Sequence, residues 1–400
     1  MDCARRRADV IIVGGGIIGI STALNLKLQG VDRVAVLERH HIGAGQSGRA
    51  AGVVRALVRD PMVSGWLLEA IQFFSNFTAE YGESLDVHEA GFLLLSRPRE
   101  EAQVEAAIAA LEQAGGGANR IDVRQAQILQ PGLRADGETR YAFEPGAIYV
   151  DPMVATQALA ALARRLGVEI CEGCEVGQIQ LRGDAVSGVE SSAGCWQSPV
   201  VLVATSVWGR AQLARVGVDV PVYPHRAEMA FFRAPLAGEY RFQRILSDTR
   251  SMLYMRPEGE AQLFVGWREG DRIGGKADLV AEDPDNYKQT AHYQTVQDMQ
   301  GRLQVTLPFM AEGFVHRTYA CVYDYTADAL PIMDIAPAVS GLYFVLGFSG
   351  GGFSLSPWIG RMMAQWIAAG AAARPAACKA LRLARFAEGE LIDYLRMDSQ

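Results

Sequence analysis

Gly14, Gly16 and Gly19 stand in a G-x-G-x-x-G, and Glu38 follows about 20 residues beyond the last of them. Glycines at this spacing act through the backbone. The first permits a tight turn, the second lets a pyrophosphate approach the main chain, and the third lets a helix pack closely on a strand. The start of that helix offers unpaired N–H groups and the positive end of its dipole to phosphate oxygens. An acid placed like Glu38 accepts hydrogen bonds from an adenosine ribose. Fingerprint and acid together point to a dinucleotide.

Other residues invite a chemical reading. Gly347-x-Ser349-x-Gly351 matches the nucleophile elbow of α/β-hydrolases. That family places its catalytic histidine after the serine, and the six histidines (His40, His41, His88, His225, His292 and His316) all precede it. The same glycines serve better as a second helix N-terminus aimed at a cofactor, where dipole and N–H groups stabilise negative charge. Cys171 and Cys174 form a C-x-x-C with no second pair and no nearby histidine, so they read as two strand residues. His40 and His41 read as loop surface, and no metal site is expected. Arg55 is either a surface ion-pair residue or an anion clamp facing a pocket.

These residues need elements to hold them. Val10 to Val13 is apolar, β-branched and does not alternate, as in a buried parallel strand. A helical pattern follows the glycines, stops at Gly30, and Val34 to Leu37 makes a second strand ending on Glu38. The loop from Arg39 to Gly52 is rich in small residues that let backbone lie against a planar or phosphate-bearing ligand. Residues 61–81 predict a helix with a core stripe of Trp66, Leu67, Ala70, Phe73, Phe74 and Phe77. Residues 85–95 read as hairpin strands and 100–113 as a surface helix. An Ala-rich helix over 152–166 leads into a strand over 168–176. Val200 to Ser206, apolar and ending in small residues, reads as a further strand of the nucleotide sheet. From 221 to 308, short aromatic and charged segments (229–232, 251–256 and 262–267) predict an antiparallel substrate sheet with a helix over 283–303 attached. The parallel pattern resumes at Leu342 to Leu346, and a helix then runs from Ser354 or Pro357 to Ala369.

The totals bound the reading. Four hundred residues at 50% hydrophobic content suit two domains or one large α/β unit. A net charge of −7 argues against nucleic acid as a partner. Arg5-Arg6-Arg7 before an apolar stretch imitates a signal peptide, but cleavage there would destroy the fingerprint. A cytoplasmic chain with no membrane span is expected.

With its opening fingerprint, the Gly45-to-Arg55 loop, the Ala204 strand end and the Gly347-to-Phe353 turn, the chain resembles flavoproteins of the D-amino-acid oxidase superfamily. Within it the match is to the sarcosine oxidase branch, and it covers nearly the whole chain. The resemblance implies an α/β plus antiparallel architecture. A Rossmann-like FAD-binding domain (1–80, 145–220 and 318–400) would be interleaved with a substrate domain built on a mixed or antiparallel sheet (81–144 and 221–317). The implied FAD contacts are Gly14, Gly16, Gly19, Glu38, Arg39, Ser47, Arg49, Ala51, Gly52, Val176, Gly350, Gly351, Gly352 and Phe353.

Monomeric sarcosine oxidase carries FAD as a thioether on a cysteine at the position of Cys321, and Tyr323, Thr326, Asp328 and Asp334 keep their spacing from it. The resemblance therefore implies a covalent flavin, beside the plain reading of a small buried cysteine. Arg55 matches the arginine that binds the substrate carboxylate, and Tyr323 and Tyr254 would line the pocket. Arg268 falls where the family has a histidine. Ser354 and Phe264 stand where two of its lysines would be, which leaves the substrate and the electron acceptor open. The implied reaction is oxidation of a secondary amine or amino acid. A C–H bond beside a neutral amine nitrogen transfers hydride to FAD and gives an imine. The alternative is a flavin-carrying subunit that passes electrons to a partner protein. An NAD-dependent dehydrogenase would leave the closing glycine turn without a role.

Overall fold

The computed structural model describes residues 6–267 and 284–392. One layer is a six-stranded sheet. Its order is Glu169–Cys171, Val34–Leu37, Val10–Val13, Val201–Val203, Leu342–Leu346 and Ile332–Ile335. All neighbours are parallel except the last pair. Val10–Val13, Val34–Leu37, Val201–Val203 and Leu342–Leu346 are buried along their whole length, which is why they read as unbroken apolar runs. The chain leaves Val10–Val13 toward Val34–Leu37 on one side, while Val201–Val203 flanks it on the other. This topological switch opens a crevice at the carboxyl ends of the strands.

The helices Ile17–Leu28 and Gly352–Ala369 cross closely against this sheet. A Cβ on Gly360 would overlap Ser21, whose hydroxyl donates to the Ser356 carbonyl at 2.9 Å. Pro61–Tyr81 begins where Asp60 accepts from the amides of Met62 (2.9 Å) and Val63 (3.0 Å), with Pro61 at the first helical position.

The second layer is an eight-stranded sheet. Its order is Phe314–Tyr325, Tyr223–Arg233, Gln262–Trp267, Leu253–Pro257, Ile245–Asp248, Phe92–Ser96, Arg140–Glu144 and Asn119–Ile121. Pairing is antiparallel except between Ile245–Asp248 and Phe92–Ser96. Its outer face (Leu93, Leu95, Phe232, Leu246, Met255 and Val265) packs with residues of the helix Tyr293–Thr306. The inner face looks toward the parallel layer. Phe314–Tyr325 runs through the expected 317/318 boundary and carries Cys321 and Tyr323 on this sheet.

Four local expectations are corrected. Residues 85–95 are not a hairpin: Val87–His88 pairs with Ile148–Val150, whereas Phe92–Ser96 joins the large sheet. Gly91, at φ +63, breaks the chain between them. The strand expected over 168–176 stops at Cys171, turns at Gly173 (φ +68), and a separate strand, Val176–Arg182, begins after it. The C-x-x-C therefore spans a turn. The helix expected from Asp283 starts at Tyr293 within the described residues, and Asp283 itself lies outside them. The closing helix starts at Gly352, earlier than expected, with Pro357 inside it. Pro357 has no N–H for the Phe353 carbonyl, and the Ser356 hydroxyl donates to that carbonyl instead at 2.8 Å.

Candidate functional site

The crevice encloses a cavity of about 420 Å³. Gly14 adopts φ +111, and a Cβ there would stand 2.5 Å from the Ala204 carbonyl oxygen. A Cβ on Gly19 would overlap the Gly14 carbonyl, so this glycine sets helix-to-strand packing and is not in the cavity wall. Ser47 accepts from the Ile17 amide at 2.8 Å, tying the small-residue loop to the helix start. Glu38 accepts from the amides of Gly15 and His40, each at 2.8 Å. Its carboxylate is thereby oriented at the strand end and still has lone pairs for a ribose.

Of the expected cofactor contacts, Gly14, Gly16, Glu38, Arg39, Ser47, Arg49, Val176, Gly350, Gly352 and Phe353 line this cavity. Ala51 and Gly351 line a neighbouring one. Gly52, at φ +70, packs against the Val150 carbonyl and pins the loop. Cys321 is buried with Ala227, Met229, Phe231 and Phe264, in the wall of neither cavity.

The two arginines among these residues also have protein partners. Arg39 forms a two-pronged pair with Asp285 and stacks 4.5 Å over Trp208, whose indole N–H also donates to Asp285 at 3.0 Å. The Arg39 hydrogen bond holds the Asp285 carboxyl below the usual carboxylate range. Arg49 donates to the Gly45 carbonyl at 3.0 Å, and its own carbonyl accepts from the Tyr319 hydroxyl at 2.7 Å. Burial pushes the Tyr319 phenol well above its ordinary value.

Asp324 is a residue that sequence reasoning missed. It is buried in the first cavity's wall, and its carboxyl accepts from the Gly347 amide at 2.8 Å and from the Ser206 hydroxyl. Burial pushes it up to about 6, against the pull of those donors. Ser349 sits at φ +50, as in a nucleophile elbow, but its amide donates to the Asp324 carbonyl at 3.0 Å and its hydroxyl accepts from the Thr326 amide at 3.1 Å. That serine holds the turn.

A second cavity of about 390 Å³ lies under the inner face of the large sheet and shares Tyr323 and Gly350 with the first. Arg55, Tyr254 and Tyr323 line it together. Tyr254 is in register with Gly266, which leaves the space for its ring. The Arg55 guanidinium lies 4.8 Å over Phe92 and donates to the Leu57 carbonyl at 2.6 Å. Two acids in this wall have their own cations: Asp328 is paired with Arg385, and Glu228 with Arg226. Arg268, the remaining expected residue, lies outside the described residues.

Phe264 is fully buried against Phe231, Tyr254 and Tyr319. Arg256 shares its row of the inner face and stacks 5.1 Å over the Phe264 ring. It lines neither cavity, because its guanidinium donates to the Ala51 carbonyl, to the Pro257 carbonyl at 2.8 Å, and to Glu258. Among the described residues no group of three or more His, Cys, Asp or Glu side chains could hold a metal, and no helix is long and apolar enough to cross a membrane.

A glycine-cradled crevice at a topological switch, with a second cavity that shares Tyr323 and Gly350 with it, is a layout suited to a flavin-dependent oxidoreductase. Residues 9–366 match the FAD dependent oxidoreductase family (DAO), and the chain belongs to it. It is 27% identical to the sarcosine oxidase subunit beta of Rhizobium meliloti over 400 residues, covering 96% of this chain and 90% of that one. It is also 27% identical to 4-methylaminobutanoate oxidase (formaldehyde-forming) of Paenarthrobacter nicotinovorans over 366 residues, 90% of this chain but 43% of the relative. The chain thus spans less than half of that relative's length. The L-proline dehydrogenase of P. horikoshii has the same fold, with a TM-score of 0.84 over 97% of this chain and 100% of that one at 23% identity. The glycine cradle, with no side chain at Gly14 or Gly16 to fill it, fits FAD.

Proposed function

We propose that this protein oxidises the C–N bond of a secondary amine or N-substituted amino acid that carries a carboxylate. The observation that carries this reading is the junction of the two cavities at Tyr323 and Gly350, with Arg55 in the wall of the second. FAD supplies the hydride acceptor. Arg55 binds the carboxylate and so orients the C–H bond beside the amine nitrogen toward that junction. Tyr254, Tyr323 and the apolar wall exclude water around an amine bound as the neutral species, and the hydride transfer leaves an imine. The amide ends around Gly350, Gly351 and Gly352, at the start of the closing helix, stabilise negative charge at the junction. The relatives' names support the substrate class, since sarcosine and 4-methylaminobutanoate are both N-methyl amino acids.

The test is anaerobic bleaching of the flavin by N-methyl and cyclic amino acids. Bleaching that disappears when the carboxylate is replaced by an amide, and whose KM rises about tenfold to a hundredfold in Arg55→Ala, supports the reading. Bleaching indifferent to the carboxylate overturns it. A second reading, transfer of electrons to a partner protein in the cytoplasm, is supported by the near full-length similarity to a subunit of a larger oxidase. Reoxidation of the bleached protein by air alone within milliseconds would remove it.

A further inference from the structure

Glu144 ends the strand Arg140–Glu144 and lies directly opposite Phe92 in the antiparallel pair. Directly paired residues project their side chains to the same face. Both side chains therefore meet residues 55–57, which cross that face outside any strand. The Phe92 ring lies under the Arg55 guanidinium at 4.8 Å. One Glu144 oxygen accepts from the Ala56 amide at 2.7 Å and the other from the Leu57 amide at 3.0 Å. The Leu57 carbonyl accepts from Arg55 at 2.6 Å. Leu57 is thus gripped on its N–H by Glu144 and on its carbonyl by Arg55.

The carboxyl is 2% exposed and lines neither cavity, so it has no path to a substrate. Burying a carboxyl is costly, and an apolar side chain would serve packing better unless both oxygens were needed. Both are used on consecutive amides just after Arg55. On the reading of Arg55 as the carboxylate clamp, we infer that Glu144 is its positioning residue: it fixes the backbone from which the guanidinium reaches the substrate cavity, and so sets affinity for anionic substrates. In Glu144→Gln one acceptor becomes a donor that faces an amide N–H. One grip is lost while size and shape are kept.

The experiment is calorimetric titration of the FAD-loaded protein with benzoate and with benzamide, a neutral probe of the same shape. Wild type is expected to prefer benzoate and Arg55→Ala to lose that preference. If wild type shows none, the clamp reading fails, and the role of Glu144 falls with it. With the preference established, Glu144→Gln should weaken benzoate about tenfold or more and leave benzamide within twofold. In the Arg55→Ala background it should cost benzoate less than twofold, because nothing remains to position. Equal loss for both probes, or the same loss without Arg55, would show mere cavity damage and overturn the inference. If Glu144→Gln does not fold, hydrogen exchange of the Ala56 and Leu57 amides in wild type decides. Slow exchange, slowed further by benzoate, supports the grip; exchange at the rate of open loop amides overturns it.

Discussion

The Tyr254 ring lies across Gly266 so closely that a Cβ on Gly266 would overlap its Cζ and hydroxyl oxygen. The two residues are direct cross-strand partners, and Tyr254 lines the second cavity. Gly266→Ala must therefore move a ring that helps shape that cavity. The expected cost is about 1–3 kcal/mol of stability, by overpacking. In a Tyr254→Ala background the same change should cost nearly nothing, since the obstructing ring is gone. Urea unfolding of the four proteins measures the coupling. An equal cost in both backgrounds would mean that Gly266 is required for some other reason.

Asp324 makes stability depend on pH in a defined direction. Its carboxyl is raised from 3.8 to about 6 by burial. Below the lower value both folded and unfolded chains are protonated, and no penalty exists. As pH rises through the interval the unfolded chain ionises first, so folded stability falls, and the loss is complete above about 6. Two pKa units correspond to about 3 kcal/mol. Asp324→Asn keeps an acceptor for the Gly347 amide and removes the titration. Wild type should lose about 2–2.5 kcal/mol relative to this variant between pH 4 and pH 7, the first part of the loss lying below pH 4. A stability difference that stays flat over that range would contradict the assignment.

Arg385 and Asp328 form a fully buried pair with bonds of 2.7 and 2.9 Å, and Arg385 also donates to the Leu330 carbonyl at 2.8 Å. Arg385 comes from the short helix Arg385–Glu388 near the end of the described chain. It neutralises an acid in the wall of the second cavity. Removing one partner of such a pair strands a charge in an apolar site, so Arg385→Leu should cost about 3–5 kcal/mol. Replacing both residues by apolar ones should cost less. Denaturant midpoints at constant slope would register both results, and a loss below about 1 kcal/mol for Arg385→Leu would mean that water reaches Asp328.

What the sequence made legible was local. The β-branched run at Val10, the glycine spacing, Glu38 and the Asp60-Pro61 helix start each carry their signal within a few residues. The register of the large sheet is a different matter. Nothing local says that Glu144 will face Phe92, or that Tyr254 will need a glycine opposite it. Asp285 reaches Arg39 only through the packing of a distant segment over the crevice. The hairpin expected over residues 85–95 failed for a related reason. The strands were legible locally, but their partners were chosen by sheets that form elsewhere in the chain.

Cys321 offers the most direct test of the cofactor's attachment. On its strand it lies two residues from Tyr323, and alternation puts both on the inner face, toward the junction of the cavities. Ala51, which lines the second cavity, packs against the same buried cluster as Cys321. We propose that the thiol bonds to the flavin there. Cys321 would hold FAD through a thioether to the ring's methyl group, and forming that bond is a two-electron oxidation that O₂ would complete. Acid precipitation of the purified protein should therefore leave the yellow colour in the pellet, on a peptide containing Cys321. Cys321→Ala should bind FAD and release it into the supernatant. If wild type releases its flavin as readily as this variant, Cys321 is a packing residue of the Ala227, Met229, Phe231 and Phe264 cluster, and the flavin is held by the crevice alone.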